Sequence, residues 1–531
     1  MPVRSLVLAV AVAAAGSEAV AQAARPTAIE HVSVVPMDRP GVLADQTVVV
    51  VDGLIQAVGP AAKVATPKNA TVVDGHGRYL FPGLTDTHVH LEGNAERWLP
   101  WFLSHGVTTV FNLRGSPDQL ALRRRVSEGS LVGPTIYTSG PFTNQPSIMT
   151  AADARRAVDD QKAAGYDFVK IHGNLSAEAY AALIAAGRER HLTIVGHAPR
   201  NLPFDSVISA RQPLVAHAEE LIYTKFNQLD TTGIGEVARR MAKAGVWLTP
   251  TLTTFSGIVT QWGRPASVDS ALALEEDSAL PEAIRTFWKG SNPYTGRAIG
   301  DWAPRAFQFQ LPLVRTLYRA GVPLLTGTDT PLPVMVPGHS LHDEIAQLEH
   351  AGVDRVGALR AATVNPGRFI AQFVDPTARF GTVVKGSRAD LVLVADNPLE
   401  RPATLIHPIA VMARGRWFDR TTLDKLVAES GQTVGAERNE PAVEWSAADR
   451  NAAVGQFRSE TPPLTVRITE REGVLYLEAP GQPAFRMTPV GRRRLAAKGS
   501  LTKIEAEFDE AFAVITVTAD RTPVAKLTRV P

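Results

Sequence analysis

The stretch Leu80-Phe81-Pro82-Gly83-Leu84-Thr85-Asp86-Thr87-His88-Val89-His90 decides the fold. It is an apolar run that ends in side chains able to bind a metal. Residues two apart on a strand face the same side, so His88 and His90 can chelate one ion. Upstream, residues 27–77 read as short strands and turns, at Ile29–Val35, Gln46–Val51, Leu54–Val58 and Thr71–Asp74. Asp52-Gly53, set between two apolar runs, is a hairpin signal. Downstream the pattern changes. Apolar runs alternate with Ala- and Arg-rich helical stretches, which implies parallel strands with crossover helices.

Eight such runs occur: Tyr79–Asp86, Val107–Leu113, Thr135–Ser139, Phe168–His172, Leu192–His197, Leu214–Glu219, Val246–Leu252 and Pro323–Asp329. Helical segments such as Asp118–Glu128, Ala177–Arg190, Glu236–Ala244 and Arg305–Ala320 lie between most of them. Eight strands over about 250 residues is the size of an α/β (β/α)8 TIM barrel. An open doubly wound sheet competes with it. The polar residues favour the barrel, because they recur at the C-terminal ends of the runs, where barrel active sites are built. His88 and His90 close the first run, His197 the fifth, His217 the sixth and Asp329 the eighth. Four imidazoles and a carboxylate on one rim make a nitrogen/oxygen site of the zinc, manganese or cobalt type. Lys170, flanked by apolar residues on the fourth run, would be costly if buried charged and unpaired. Its amine could instead take up carbon dioxide as a carbamate, whose two oxygens could bridge two ions.

The whole chain has 531 residues, with 45% hydrophobic and 20% charged, which excludes a mainly disordered, collagen-like or coiled-coil protein. Its net charge of +2 offers no electrostatic case for nucleic acid or an anionic membrane. The absence of cysteine removes disulfides, zinc–thiolate sites, iron–sulfur clusters and a thiol nucleophile together. Residues 1–24 have the layout of a signal peptide: Arg4, an apolar run, then the small residues around Ala19-Val20-Ala21. That run is shorter than the roughly 20 residues a membrane span needs. The expectation is an exported chain, periplasmic or secreted, with no membrane segment in its mature form.

Past the barrel, Gly381–Ala395 returns to strand and turn chemistry. The expected organisation is a composite β-sandwich from 27–79 and 375–430, the barrel at 80–374, and a separate all-β meander at 441–531. Its strands are expected at Leu464–Thr469, Val474–Ala479, Phe485–Pro489, Ile504–Phe508 and Ala513–Thr518.

The chain resembles the amidohydrolase superfamily, within it the imidazolonepropionase-like and prolidase-like branch with a carboxylated lysine. The likeness rests on Pro82-Gly83-Leu84 before Asp86-x-His88-x-His90, then Lys170, His197, His217 and Gly327-Thr328-Asp329. It continues in Gly338-His339-Ser340-Leu341-His342-Asp343-Glu344, Ala361-Ala362-Thr363-x-Asn365-Pro366 and Gly381-x-x-x-x-Gly386-x-x-Ala389-Asp390. It implies that His88, His90 and Asp329 bind one divalent ion, His197 and His217 a second, and carboxylated Lys170 bridges the two. It implies also a bridging hydroxide as nucleophile, with Asp329 as catalytic proton shuttle. Zn2+ is the leading ion, with Mn2+ or Co2+ as alternatives. Prolidase-like relatives place a tyrosine near the substrate carbonyl where Tyr223 falls. Two departures bear on the substrate: Ala218-Glu219-Glu220 stands where glycine would follow His217, and Ile171-His172-Gly173-Asn174 replaces a small-residue turn after Lys170. His172, His339, Arg114 and Arg297 are further candidates for substrate contact, and His342 for a structural hydrogen bond.

The long interval Thr253 to Val322 is a candidate lid or specificity element, against a solvated insertion. The C-terminal segment resembles lipocalin-like domains appended to exported hydrolases, through Ala453-Val454-Gly455-Gln456-Phe457. It is a candidate for homo-oligomerisation or substrate shielding, against a passive stabilising module. The resulting reading is an exported binuclear amidohydrolase acting on an amide of a small substrate such as an Xaa-Pro dipeptide or N-acyl amino acid. Its rivals are a cyclic amidase, a deaminase, a lactone or organophosphate esterase, and a catalytically silent binding protein.

Overall fold

A computed structural model describes residues 25–530, apart from 93–94, 274–279, 291–293, 295–296, 432–441, 461–462, 472, 480–483, 498–503 and 520–521. The expected signal peptide and part of the aromatic stretch before Tyr294 lie outside the described residues.

Strands β1 (Thr27–Val34), β2 (Leu43–Val51), β3 (Leu54–Pro60), β4 (Thr71–Asp74) and β5 (Tyr79–Pro82) begin the chain. Asp52 and Gly53, at φ 49° and 76°, form the tight turn between β2 and β3. The expected first barrel strand, Tyr79–Asp86, divides at Gly83, a correction with a steric cause. A side chain at Gly83 would place its Cβ 2.1 Å from Thr108 Oγ1, so the backbone turns there and changes sheet. Only β6 (Leu84–Val89) enters the barrel.

The barrel continues in β7 (Val107–Asn112), β8 (Thr135–Thr138), β9 (Phe168–Ile171), β10 (Thr193–Gly196), β11 (Leu214–Ala216) and β12 (Trp247–Thr249). Neighbouring strands run parallel, in two sheets, β6-β7-β8 and β9-β10-β11-β12. A bridge between Ser139 and Phe168 joins the two sheets. The expected eighth strand, Pro323–Asp329, is not a regular strand. It closes the ring through a bridge from Leu324 to Leu248 and another from Thr330 to Val89. Its backbone bonds one residue at a time; Thr87 N–H donates to Thr326 O at 2.8 Å and Asp329 N–H to His88 O at 2.7 Å. The interval expected as a long insertion is largely helical, with helices Leu252–Gln261, Ser267–Leu272, Glu282–Gly290 and Trp302–Arg319.

After the barrel come β13 (Leu391–Val394), β14 (Ala410–Ala413) and β15 (Arg416–Asp419). They join the first strands in one sheet ordered β15-β14-β13-β5-β1-β2-β3, with β4 on β1. The flanks also share a core, in which Ile29, Val48 and Leu80 pack with Leu391, Leu393 and Met412.

The last region is the expected antiparallel meander, closed on itself as a barrel. It comprises β16 (Gly455–Glu460), β17 (Pro463–Arg471), β18 (Val474–Glu478), β19 (Phe485–Gly491), β20 (Arg494–Ala497), β21 (Ile504–Phe508), β22 (Val514–Ala519) and β23 (Thr522–Arg529). Three of these strands, β16, β20 and β23, were not expected. Their inward signal is faint, since Phe457 is the one large buried residue of β16 and Leu495 that of β20. No helix among the described residues is long and apolar enough to cross a membrane.

Candidate metal centre

The C-terminal ends of the barrel strands bring the six expected ligands together. His88 Nε2 and His90 Nε2 lie 3.2 and 2.7 Å from Asp329 Oδ1. The ligand atoms of these three residues fall within 4.8 Å of one another. Two ligands held about 2.1 Å from a common ion can be up to about 4.2 Å apart, and the 3.2 and 2.7 Å separations of the imidazole nitrogens from Asp329 Oδ1 lie inside that limit. Lys170 Nζ, fully buried, lies 3.0 Å from His88 Nε2. The His217 ring sits 4.5 Å from that of His88 and 4.7 Å from that of His197. His217 Nε2 lies 3.9 Å from Asp329 Oδ2, so the carboxylate faces both halves of the cluster.

The donor chemistry agrees with a metal. Burial holds His88, His197 and His217 well below the ordinary imidazole range, so their nitrogens keep lone pairs. Burial also pushes the Lys170 ammonium down to about 7, although Asp329 and Glu220 pull the other way. Asp329 Oδ1 is buried and no well-aligned hydrogen bond satisfies it, despite the two imidazole nitrogens beside it. Buried electron-pair donors that converge on one point, with a carboxylate oxygen among them left unsatisfied, are the arrangement a cation completes.

Residues that sequence reasoning missed orient these ligands. Glu220, fully buried, takes His197 Nδ1 at 2.8 Å, and Arg200 donates to the same Glu220 oxygen from Nη2 at 2.6 Å and Nε at 3.0 Å. Thr251 Oγ1 lies 2.7 Å from His217 Nδ1. Each ring is thereby turned to present Nε2 inward, as second partners of metal-bound imidazoles do. Glu344, from the Gly338–Glu344 motif, accepts from Thr253 N–H at 2.8 Å and so braces the turn that carries Thr251. Below the ligands, Asp86 accepts from Thr328 Oγ1 at 2.6 Å and from His88 N–H at 3.1 Å, tying β6 to the eighth segment. Glu220 was visible in the sequence only as a departure after His217, and Asp86 and Glu344 only as members of longer motifs; Arg200 and Thr251 carried no signal.

A cavity of roughly 90 Å3 opens over the cluster, with His90, His172, His197, His217 and Asp329 as its floor. Glu219, Thr251, Thr254, Tyr294, Ile258 and Leu332 form its walls. His172 thus takes a place in the pocket, stacked on Phe142 at 4.3 Å and 4.6 Å from the His197 ring. The other expected contacts do not line it. Tyr223 lies beneath the Arg200 guanidinium at 4.5 Å and stacks on Trp302. Arg114 pairs with Glu92 at 2.8 Å and covers Phe142 at 5.2 Å, one side chain back from the cavity. Arg297 lies over Trp262 at 5.7 Å. His339 faces His105 and Asp343 instead of the ligands, and His342 Nε2 sits 2.9 Å from His105 O.

Imidazoles, a carboxylate and a buried lysine on the C-terminal rim of a parallel barrel define a hydrolase of the metal-dependent class. The chain belongs to the amidohydrolase family, whose model matches residues 79–424. An adenine deaminase of Nitratidesulfovibrio vulgaris is 27% identical over 200 residues, 34% of this chain and 35% of that protein. An enamidase of Eubacterium barkeri is 38% identical over 82 residues, 14% of this chain and 21% of that protein. The matches therefore span about a third of these relatives or less. Among solved structures, a putative prolidase from Bifidobacterium longum superposes with a TM-score of 0.57 at 22% identity, covering 77% of this chain and 99% of that one. Bottromycin amidohydrolase reaches 0.61 at 22% identity, covering 77% and 92%. These likenesses agree with the barrel and its flanking sheet.

Proposed function

We propose that the protein is an exported, binuclear metal-dependent amidohydrolase that cleaves the amide of a small substrate, a dipeptide such as Xaa-Pro being the leading case. The observation that carries this reading is the convergence of His88, His90 and Asp329 within 4.8 Å, with Lys170 Nζ 3.0 Å from His88 Nε2, at a cavity that His90 and Asp329 line. His88, His90 and Asp329 would hold one ion, and His197 and His217 the other. Lys170, with its ammonium depressed to about 7, has the neutral amine that adds to carbon dioxide. A new N–C bond would form with loss of one proton, and the carbamate so made would supply two oxygen donors to the metal site. Divalent ions bound there would acidify water and polarise a carbonyl.

The chain's own residues then have separable tasks. Asp329, ionised among imidazoles and lining the cavity, accepts a proton from the attacking water and returns it to the departing nitrogen. Glu220 and Thr251 keep His197 and His217 in register. Ile258 and Leu332 exclude bulk water from the reacting end.

Metal analysis and a substrate panel test this. Protein reconstituted with bicarbonate and zinc, manganese or cobalt should hold about two equivalents and hydrolyse at least one dipeptide or N-acyl amino acid. Less than about one equivalent would sink the binuclear centre. Turnover confined to cyclic amides, aminated heterocycles, lactones or paraoxon would move the reaction to one of the rival classes.

A further inference from the structure

Glu219 stands two residues after His217, at the start of the helix Glu219–Thr224, and its side chain is only 16% exposed. It lines the same cavity as Asp329 and the imidazoles. Its cationic neighbour is Arg200, 3.7 Å away. That guanidinium is already bound to Glu220 at 2.6 Å and covered by the Tyr223 ring. One arginine therefore faces two adjacent acidic side chains, and the one left with the looser contact is the one on the cavity wall. No lysine or arginine lines the cavity among the described residues. A substrate carboxylate would thus find no cation there, whereas a basic nitrogen would meet an acid with no better partner.

We propose that Glu219 is the recognition group for a free amine on the carbon next to the scissile carbonyl, and that the site selects substrates with an unblocked amino terminus. This rests on the hydrolase reading, because the cavity floor fixes where the carbonyl lies. In a dipeptide the α-nitrogen is two bonds from the carbonyl carbon, about 2.5 Å, so a group held over the floor brings its amine to the wall. N-acylation removes the charge and adds bulk in a cavity of roughly 90 Å3. Among the amide substrates above, Glu219 therefore divides dipeptides from N-acyl amino acids. The departure from glycine after His217 becomes the device that makes the division.

The test uses the full-length, metal-loaded protein and two probes, a phosphinic dipeptide analogue with a free amine and its N-acetyl form. Binding of both is measured by calorimetry for wild type and Glu219→Gln, with metal content determined on the same samples. The wild type should bind the free-amine probe at least about 30-fold more tightly, and Glu219→Gln should cut that ratio below about threefold with metal content unchanged. Equal binding of the two probes, binding of neither, a preference that survives Glu219→Gln, or loss of metal in that variant would overturn the proposal. Kinetics on the matching dipeptide and its N-acetyl form separate the two readings. A wild type that turns over neither, yet keeps the binding preference, refutes the amidase assignment and leaves the role of Glu219 standing.

Discussion

The molecule contains two closed eight-membered barrels, and among the described residues only the first gathers a candidate metal centre. In the C-terminal barrel, antiparallel strands alternate, and Phe457, Ile468, Leu477, Leu495, Ile515 and Leu527 fill the inside. In the first barrel, parallel strands all end on one rim, and the rim collects His88, His90, Lys170, His197, His217 and Asp329. Closure alone does not make a pocket. Strand direction matters because parallel strands gather their carboxyl ends on one side, while antiparallel neighbours send alternate ends to opposite mouths.

The comparison can be broken first at Asp329. Asp329→Asn keeps the volume and removes the charge, and kcat should fall about 10^3- to 10^4-fold with the fold retained by circular dichroism. Wild-type turnover by that variant would show that the rim is not where the chemistry lies.

The next test strikes the other barrel. Phe457→Ala should cost about 3–5 kcal/mol in the C-terminal barrel. Calorimetry should then resolve an early transition for that region, with kcat/KM on the best substrate unchanged below it. Parallel loss of activity would show that the two barrels work as one unit.

The smallest effect sharpens the comparison inside the rim. Glu220→Gln loosens His197 without removing a ligand, and metal affinity should fall about 10- to 100-fold by competition with a chelator. Unchanged affinity would mean that His197 needs no orienting partner.

The ligand set was legible because a buried strand rarely ends in titratable side chains, and six such residues recurred at five strand ends. The shell around them was not. Arg200, Glu220, Thr251 and Glu344 are ordinary polar residues in sequence, and their roles arise from contacts across separate strands and helices. The division of the first run at Gly83 was hidden for a similar reason, since it depends on Thr108 pressing against that backbone. In the C-terminal barrel, β23 turns only Ala525 and Leu527 inward among the residues whose burial is described, and so alternates too weakly to be seen. Arg114, Tyr223 and His339 were chosen by residue type, and each is engaged outside the cavity wall.

The sheet that joins both flanks sets a timetable for the chain as it is made. Phe81 pairs with Val392, roughly 310 residues downstream. At about 5–20 residues per second, the edge of β5 stays uncovered for roughly 15–60 s after it emerges. During that interval β5 presents an unpaired border to any neighbouring chain, whereas β2 is already flanked by β1 and β3. The amino-terminal strands are thus the last part of their sheet to be sealed although the first to be synthesised, and a holdase or delayed release has most to protect there.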